Sequence, residues 1–278
     1  MLNRILKAQG RISLSALFRN QAFRRRSIFH LKQNYYNELE VGLQLGGGLH
    51  CPIVHPSACF SLSEIFFQGE YQPVFDECPL PERWMDLGCH YGFFSLYVAW
   101  LRAKELRISP FHALLVDADS RVQAGVESLI KINHWEDQVA FIHGAIAEGA
   151  GAAGFQEQDI MSSSLADLQE GAPISSSKRV PIVDEQIILK NLPPPYDLVK
   201  IDVEGGEYDF MIAYPQVLAL TRYLVMEWHS WHKGGGSEKQ IRWLAESHGF
   251  KLKKVIQQPK LCFSDNDSQV GVLLFEKI

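Results

Sequence analysis

From residue 83 onward, short apolar runs alternate with stretches of helical period. Trp84 to Gly88 reads as a buried strand, and Phe93 to Ala103 as a helix whose Phe93, Leu96, Tyr97 and Trp100 share a face. Ala113 to Asp117 is a second strand, followed by a helix that Ser120 caps and that runs to about Asn133. Val139 to His143 is a third strand. Val180 to Asp184 is extended and leads into a short helix. Asp197 to Val203 is a fourth strand, and Glu207 to Leu220 a helix that kinks or restarts near Pro215. Tyr223 to Trp228 is a fifth strand. A helix from Ser237, its N-cap, to His248 stops at Gly249. Residues 250–256 and Val270 to Glu276 predict a final hairpin-like pair. The sum is α/β: β-α repeats on a mostly parallel sheet, closed by an antiparallel pair. Such sheets bind ligands at the carboxyl ends of their strands.

Three segments lack this rhythm. Residues 1–37 form a basic extension with interrupted helical character, broken at Gly10. Residues 38–80, with Gly46 to Gly48 and several prolines, read as a lead-in or lid to a catalytic domain at 81–278. Residues 147–179, rich in Gly, Ala, Ser and Gln, read as a long surface excursion.

Charge sharpens this division. Of 27 Lys and Arg, eight lie in residues 1–37, where there is no acid. The other 19 face 32 acidic residues, a balance of −13. So acidic a body does not suit a phosphate backbone, which argues against a nucleic-acid partner. The basic segment, within residues 1–30, offers a peripheral contact with anionic lipid, against the plainer reading of a solvated extension. Its Arg-rich, acid-free composition also matches a transit peptide. There are five cysteines and no CxxC pair, against both a disulfide framework and a thiolate zinc site and in favour of the cytoplasm. No run approaches the about 18 apolar residues of a membrane span.

Candidate chemistry gathers just after the strands. Asp86-Leu87-Gly88-Cys89-His90-Tyr91-Gly92 joins a strand to a helix, and Gly88 and Gly92 permit a tight turn and close backbone approach to a ligand. Its spacing is not the dinucleotide GxGxxG, which counts against a nicotinamide-dependent oxidoreductase. Asp117 ends the next strand, where an acid can accept hydrogen bonds from ribose hydroxyls. Glycine turn and strand-end acid together indicate an adenosine-containing cofactor. Lys200-Ile201-Asp202-Val203-Glu204-Gly205-Gly206-Glu207 places Lys200, Asp202 and Glu204 on one face by alternation. Charges so placed near a crevice need partners, either in a Lys200–Asp202 ion pair or in chemistry. Glu227-Trp228-His229 again puts Glu227 and His229 on one face, as a base or substrate-positioning pair. His229 and His232 find no further ligands at suitable spacing, so no metal site is assigned. A divalent metal among the acids at 202, 204 and 227 stays open as an aid to deprotonation.

These motifs resemble the FkbM family of S-adenosylmethionine-dependent methyltransferases over roughly residues 57–276. The matching stretches are Gly69-Glu70-Tyr71, Met85 to Leu96, Asp117, Val183-Asp184, Lys200 to Glu207 and Glu227-Trp228-His229. The chain departs from the family pattern at Cys89 and His90, where Ala and Asn are usual, and at Asp117-Ala118, where Glu-Pro is usual. The resemblance implies a Rossmann-like class I methyltransferase with a seven-stranded sheet. It implies transfer of the methyl of S-adenosyl-L-methionine to a hydroxyl of a sugar, glycan or natural-product acceptor. Asp86, Gly88, Cys89, His90, Gly92, Asp117, Ala118 and Asp202 would then hold the cofactor. Asp202 or His229 would be the base, with Glu204, Glu227 and Lys200 beside it. A catalytically inactive methyltransferase-fold scaffold is the non-enzymatic alternative; retention of so costly a charge cluster argues against it.

Overall fold

In the computed structural model, the residues described are 23, 27, 42–55, 57–105, 110–149, 151–156, 164–166, 177–231, 236–262 and 265–278. Apart from Phe23 and Ser27, the basic extension and its lipid reading lie outside the described residues, as does His232.

The lead-in segment opens with a short antiparallel pair, β1 (Gly42–Gln44) and β2 (His50–Pro52). Helix α1 (Ala58–Leu62) continues as a π turn over Ser63–Gln68, and α2 (Gln72–Phe75) follows. The chain then runs β3 (Arg83–Leu87), α3 (Phe93–Glu105), β4 (His112–Asp117), α4 (Gln123–Ile132) and β5 (Val139–His143). Three strands follow, β6 (Ala152–Gln156), β7 (Ser164–Ala166) and β8 (Ser177–Pro181). The rest is α5 (Glu185–Asn191), β9 (Tyr196–Ile201), α6 (Glu207–Ala213), α7 (Pro215–Ala219), β10 (Thr221–His229), α8 (Glu238–Ser247), β11 (Phe250–Cys262) and β12 (Asp265–Lys277).

The main sheet has seven strands in the order β11-β12-β10-β9-β3-β4-β5. Five are parallel, and β12 is antiparallel to β10 and β11. This is the Rossmann-like methyltransferase sheet with its closing antiparallel pair. The chain order reverses between β3 and β9, so the crevice for a ligand opens beyond their carboxyl ends. Both faces are apolar. One packs Trp84, Leu115, Leu198 and Val225 against α3 and α4, the other Met85, Leu114, Val199 and Met226 against α6 to α8. Alternate residues of the same strands feed the two cores, as expected for strands covered on both sides.

Three local expectations change. Residues 147–179 are not a plain excursion: β6 pairs antiparallel with both β7 and β8 in a separate small sheet. Ser120 does not cap α4. The helix starts after Val122, and Asp119 closes the preceding turn by accepting from the Arg121 backbone N–H and pairing with its guanidinium. The two last strands are longer than their apolar cores, with bulges between Leu252 and Lys260. Ser237 does cap α8, accepting from the Gln240 N–H. Among the described residues no helix is long and apolar enough to cross a membrane.

Candidate active site

The turn after β3 is built around backbone contact. Gly88 has φ 72°, and a Cβ there would lie 1.6 Å from the Asp202 carbonyl oxygen. Only glycine lets the β3 and β9 ends close on each other. Gly92, at φ 75°, lets Leu129 and Leu115 pack against its backbone. His90 between them is also left-handed, at φ 50°. Asp117 holds that strained turn, accepting from the His90 N–H at 2.6 Å and from the Asp119 N–H at 2.8 Å. Burial raises the Asp117 carboxyl to about 7, against those two hydrogen bonds.

Behind the turn, Lys200 is buried beneath the glycines. Its ammonium donates to the Gly88 carbonyl at 2.7 Å and lies 3.4 Å from Asp86 Oδ1 and 3.3 Å from Asp202 Oδ2. Burial opposes its charge, but Asp202 and Asp86 outweigh burial and hold it above the ordinary lysine range. Asp86 is fully buried and accepts from Ser95 Oγ. It therefore braces Lys200 and Ser95 beneath the glycine turn. The Cys89 side chain is buried too, and the Ala118 carbonyl faces His143 Nε2.

Sequence alternation fails at Glu204. Strand β9 ends at Ile201, and Glu204 sits in a turn at φ 52°. The turn still swings it toward His229, with Oε2 3.7 Å from Nε2. His229 lies on the overhang of β10, beyond the last residue paired with β9. Its Nδ1 is 2.9 Å from Oε1 of Glu207, a fully buried carboxylate in the first turn of α6. Glu207 also accepts from the Val203 and Gly205 N–H groups, which locks the whole turn. Burial works against charge on His229, but Glu207, then Glu204 and Glu227, raise it to about 10. Burial lifts Glu204 to about 8, opposed by His229, and lifts Glu227 in the same direction.

The fold adds Asp202 to Glu227 and His229, which alternation already places on one face; His232 lies outside the described residues. One ligand atom from each of Asp202, Glu227 and His229 lies within 4.8 Å of the others. Sequence reasoning gave no role at the site to Glu64, Glu70, Ser61 or Glu207. Glu64 and Glu70 come from the lead-in segment yet interact electrostatically with Asp202, and Glu70 rises to about 7, first by burial and then through Glu64. Ser61 meets His90 Nδ1 at 2.8 Å. The Gly69-Glu70-Tyr71 match is the only sequence sign that the lead-in reaches the site.

The glycine turn after β3, Asp117 at the end of β4 and the charged residues after β9 and on β10 all stand at the carboxyl edge of the parallel strands. The methyltransferase FkbM domain model matches residues 86–252, which spans β3 to the start of β11. The chain belongs to the FkbM methyltransferase family. This methyltransferase also resembles solved structures at low identity. The O-methyltransferase from Bacillus cereus in complex with SAH is 13% identical over 76% of this chain and 81% of that one, with a TM-score of 0.43. Magnesium protoporphyrin IX methyltransferase from Synechocystis PCC 6803 with bound SAM is 12% identical over 91% and 97%, with a TM-score of 0.45. M. jannaschii TYW2 in complex with AdoMet is 13% identical over 83% and 84%, with a TM-score of 0.43. Likenesses this distant say nothing of this chain's own chemistry. No curated protein matches it.

The residues fit S-adenosylmethionine. A carboxylate offers about four acceptor positions, and Asp117 spends two on backbone N–H groups, leaving lone pairs for ribose hydroxyls. The left-handed turn from Gly88 to Gly92 presents backbone beside it at the start of α3.

Proposed function

We propose that this FkbM methyltransferase transfers the methyl of S-adenosylmethionine to a hydroxyl oxygen of a sugar, glycan or natural-product acceptor. The cofactor supplies an activated methyl when bound; the chain must align it with the acceptor and take a proton. Asp117 would hold the ribose, and the Gly88 to Gly92 turn the methionine end.

The observation that carries this reading is the placement of Asp202. It stands at the carboxyl end of β9, its backbone N–H bonded to Leu87 O beside the glycine turn, with Oδ2 paired to Lys200. Oδ1 makes no hydrogen bond among the described residues. A base needs such an open oxygen within reach of the hydroxyl it deprotonates. His229 is less suited, since its Nδ1 is already engaged by the buried Glu207 carboxylate. It orients the acceptor instead, fixed from behind by Glu207. Glu64 and Glu70 place the lead-in segment against the acceptor side.

The test is titration of S-adenosylhomocysteine and, separately, NAD into the wild type, Asp117→Ala and Asp202→Asn, together with a radiolabelled methyl-transfer screen over alcohols and amines. The expected result is micromolar S-adenosylhomocysteine binding that weakens at least about tenfold in Asp117→Ala, from loss of charge-assisted hydrogen bonds. Asp202→Asn should bind nearly as well and transfer nothing. Full activity in Asp202→Asn removes the base assignment, and transfer to amines alone removes the hydroxyl assignment.

A further inference from the structure

Three ligand atoms in the site remain open. Asp202 pairs with Lys200 through Oδ2 at 3.3 Å, and its Oδ1 makes no hydrogen bond among the described residues. Glu227, half-buried on the β10 overhang, makes no hydrogen bond or ion pair among the described residues. His229 is 2% exposed, and its Nε2 makes no hydrogen bond: the nearest carboxylate, Glu204, stands at 3.7 Å, beyond hydrogen-bond reach. An oxygen or nitrogen from each of the three falls within 4.8 Å of the other two. Ligands at about 2.1 Å from a common cation lie about 3 Å apart when adjacent and about 4.2 Å when opposite, so small side-chain movements would suffice.

The group behind the histidine points the same way. Imidazoles that bind metal almost always direct their other nitrogen at a carboxylate or carbonyl, which fixes the tautomer. Glu207 does this at Nδ1, at 2.9 Å, from full burial and with its own position set by two backbone N–H groups. This leaves Nε2 as the ring nitrogen that Glu207 does not take.

We propose that Asp202, Glu227 and His229 form a divalent-cation site at the carboxyl ends of β9 and β10, with Glu207 as the buried carboxylate that orients His229. Two carboxylates and one imidazole, without a thiolate, suit Mn²⁺ or Mg²⁺. Three protein ligands leave positions open for water or for the acceptor's oxygen. A cation there would lower the pKa of a bound hydroxyl and ease its deprotonation. This catalytic role rests on the methyl-transfer reading; the site itself rests on its geometry alone.

The experiment is titration of Mn²⁺ into the full chain at pH 7.5, followed through the electron paramagnetic resonance of the free ion. It compares wild type, Glu227→Gln, Asp202→Asn and Glu207→Gln, with circular dichroism to establish folding and S-adenosylhomocysteine binding measured in parallel without metal. One site is expected in the wild type, at least tenfold weaker in Glu227→Gln and Asp202→Asn. Glu207→Gln should weaken it about 10–100-fold, as loss of an outer-shell partner does. Mg²⁺ in excess should displace the Mn²⁺. Mn²⁺ binding that is absent, or equal in wild type and in folded Glu227→Gln and Asp202→Asn, overturns the site. If S-adenosylhomocysteine binds in that case, the methyltransferase reading stands without it. If Mn²⁺ binds and S-adenosylhomocysteine does not, the cation site stands and the methyl-transfer reading falls.

Discussion

Lys200→Met should show that the buried ammonium is the counter-charge on which the cleft floor depends. In the native protein Nζ lies 3.4 Å from Asp86 and 3.3 Å from Asp202 and donates to the Gly88 carbonyl at 2.7 Å. Methionine fills a similar volume but leaves Asp86 Oδ1 with no partner in a place with no solvent. The other oxygen keeps Ser95, which in turn accepts from the Trp84 indole N–H. Removing one partner of a buried ion pair costs about 3–5 kcal/mol. Asp86 can escape part of that cost by taking a proton. Burial already raises its pKa, with Lys200 pulling the other way, and losing Lys200 raises it further. The destabilisation should therefore be largest near pH 8 and shrink toward pH 5. Urea unfolding followed by tryptophan fluorescence measures it, provided the denaturant slope is unchanged. Adding Asp86→Asn to Lys200→Met should recover about 1–3 kcal/mol relative to additivity, because the orphaned charge is gone. A loss under about 1 kcal/mol in Lys200→Met, or a loss that grows on acidification, would refute the assignment of Lys200 as the partner of Asp86.

Two other changes probe the turn. Gly88→Ala puts a Cβ 1.6 Å from a backbone oxygen at φ 72°, so the ends of β3 and β9 must separate. Little soluble protein is expected, or a melting temperature lower by more than about 10 °C, as for a loss of several kcal/mol; a near-native melting curve would mean that this approach is not required. His90 is held near a pKa of about 4, first by burial and then by Lys200, opposed by Asp202 and Asp119. The folded state thus binds fewer protons than the unfolded state between about 4 and 6.5, so His90 contributes stability above pH 6.5 that is lost as pH falls through that window. Asp117, raised to about 7, slopes the other way, so the difference between wild type and His90→Asn isolates the histidine. Denaturation at steps from pH 4 to 7 should show a wild-type slope steeper by up to about 1.4 kcal/mol per pH unit; parallel curves would remove His90 from the balance.

Elements with strong period were legible without a structure. The five parallel strands read directly because their apolar runs are buried on both faces, and α8 because Ser237 and Gly249 bracket it with ordinary cap chemistry. The small sheet of β6 to β8 was not legible. Its segments are short, rich in small residues and pair mainly with one another, and Phe155 and Val180 are the two large apolar anchors of its buried cluster. Ser120 misled for a local reason: the serine stands where a cap is wanted, but Asp119 and Arg121 tie the chain into a turn first, which delays the helix past Val122.

At the site, sequence could name charged residues but not divide their labour. Alternation grouped Lys200, Asp202 and Glu204 as equals, whereas burial separates them. Lys200 faces inward to Asp86 and the glycine carbonyl, Asp202 spans inside and outside, and Glu204 leaves the strand altogether to reach His229. Glu207, plausible in sequence as an acid at a helix start, is the residue that sets the imidazole's orientation. A helix N-terminus and a histidine thus share one carboxylate, which couples the turn after β9 to the overhang of β10. That coupling explains how a loop carrying Asp202 and Glu204 can be held rigid at the mouth of a cleft. The two glycines after Glu204 let the chain bring Glu207 under His229, and the buried bond then holds the left-handed Glu204 in place. The charged stretch Lys200 to Glu207 is therefore best understood as one device: an inward cation that anchors the glycine turn, a carboxylate at the strand end paired to that cation, and a buried carboxylate that orients the histidine.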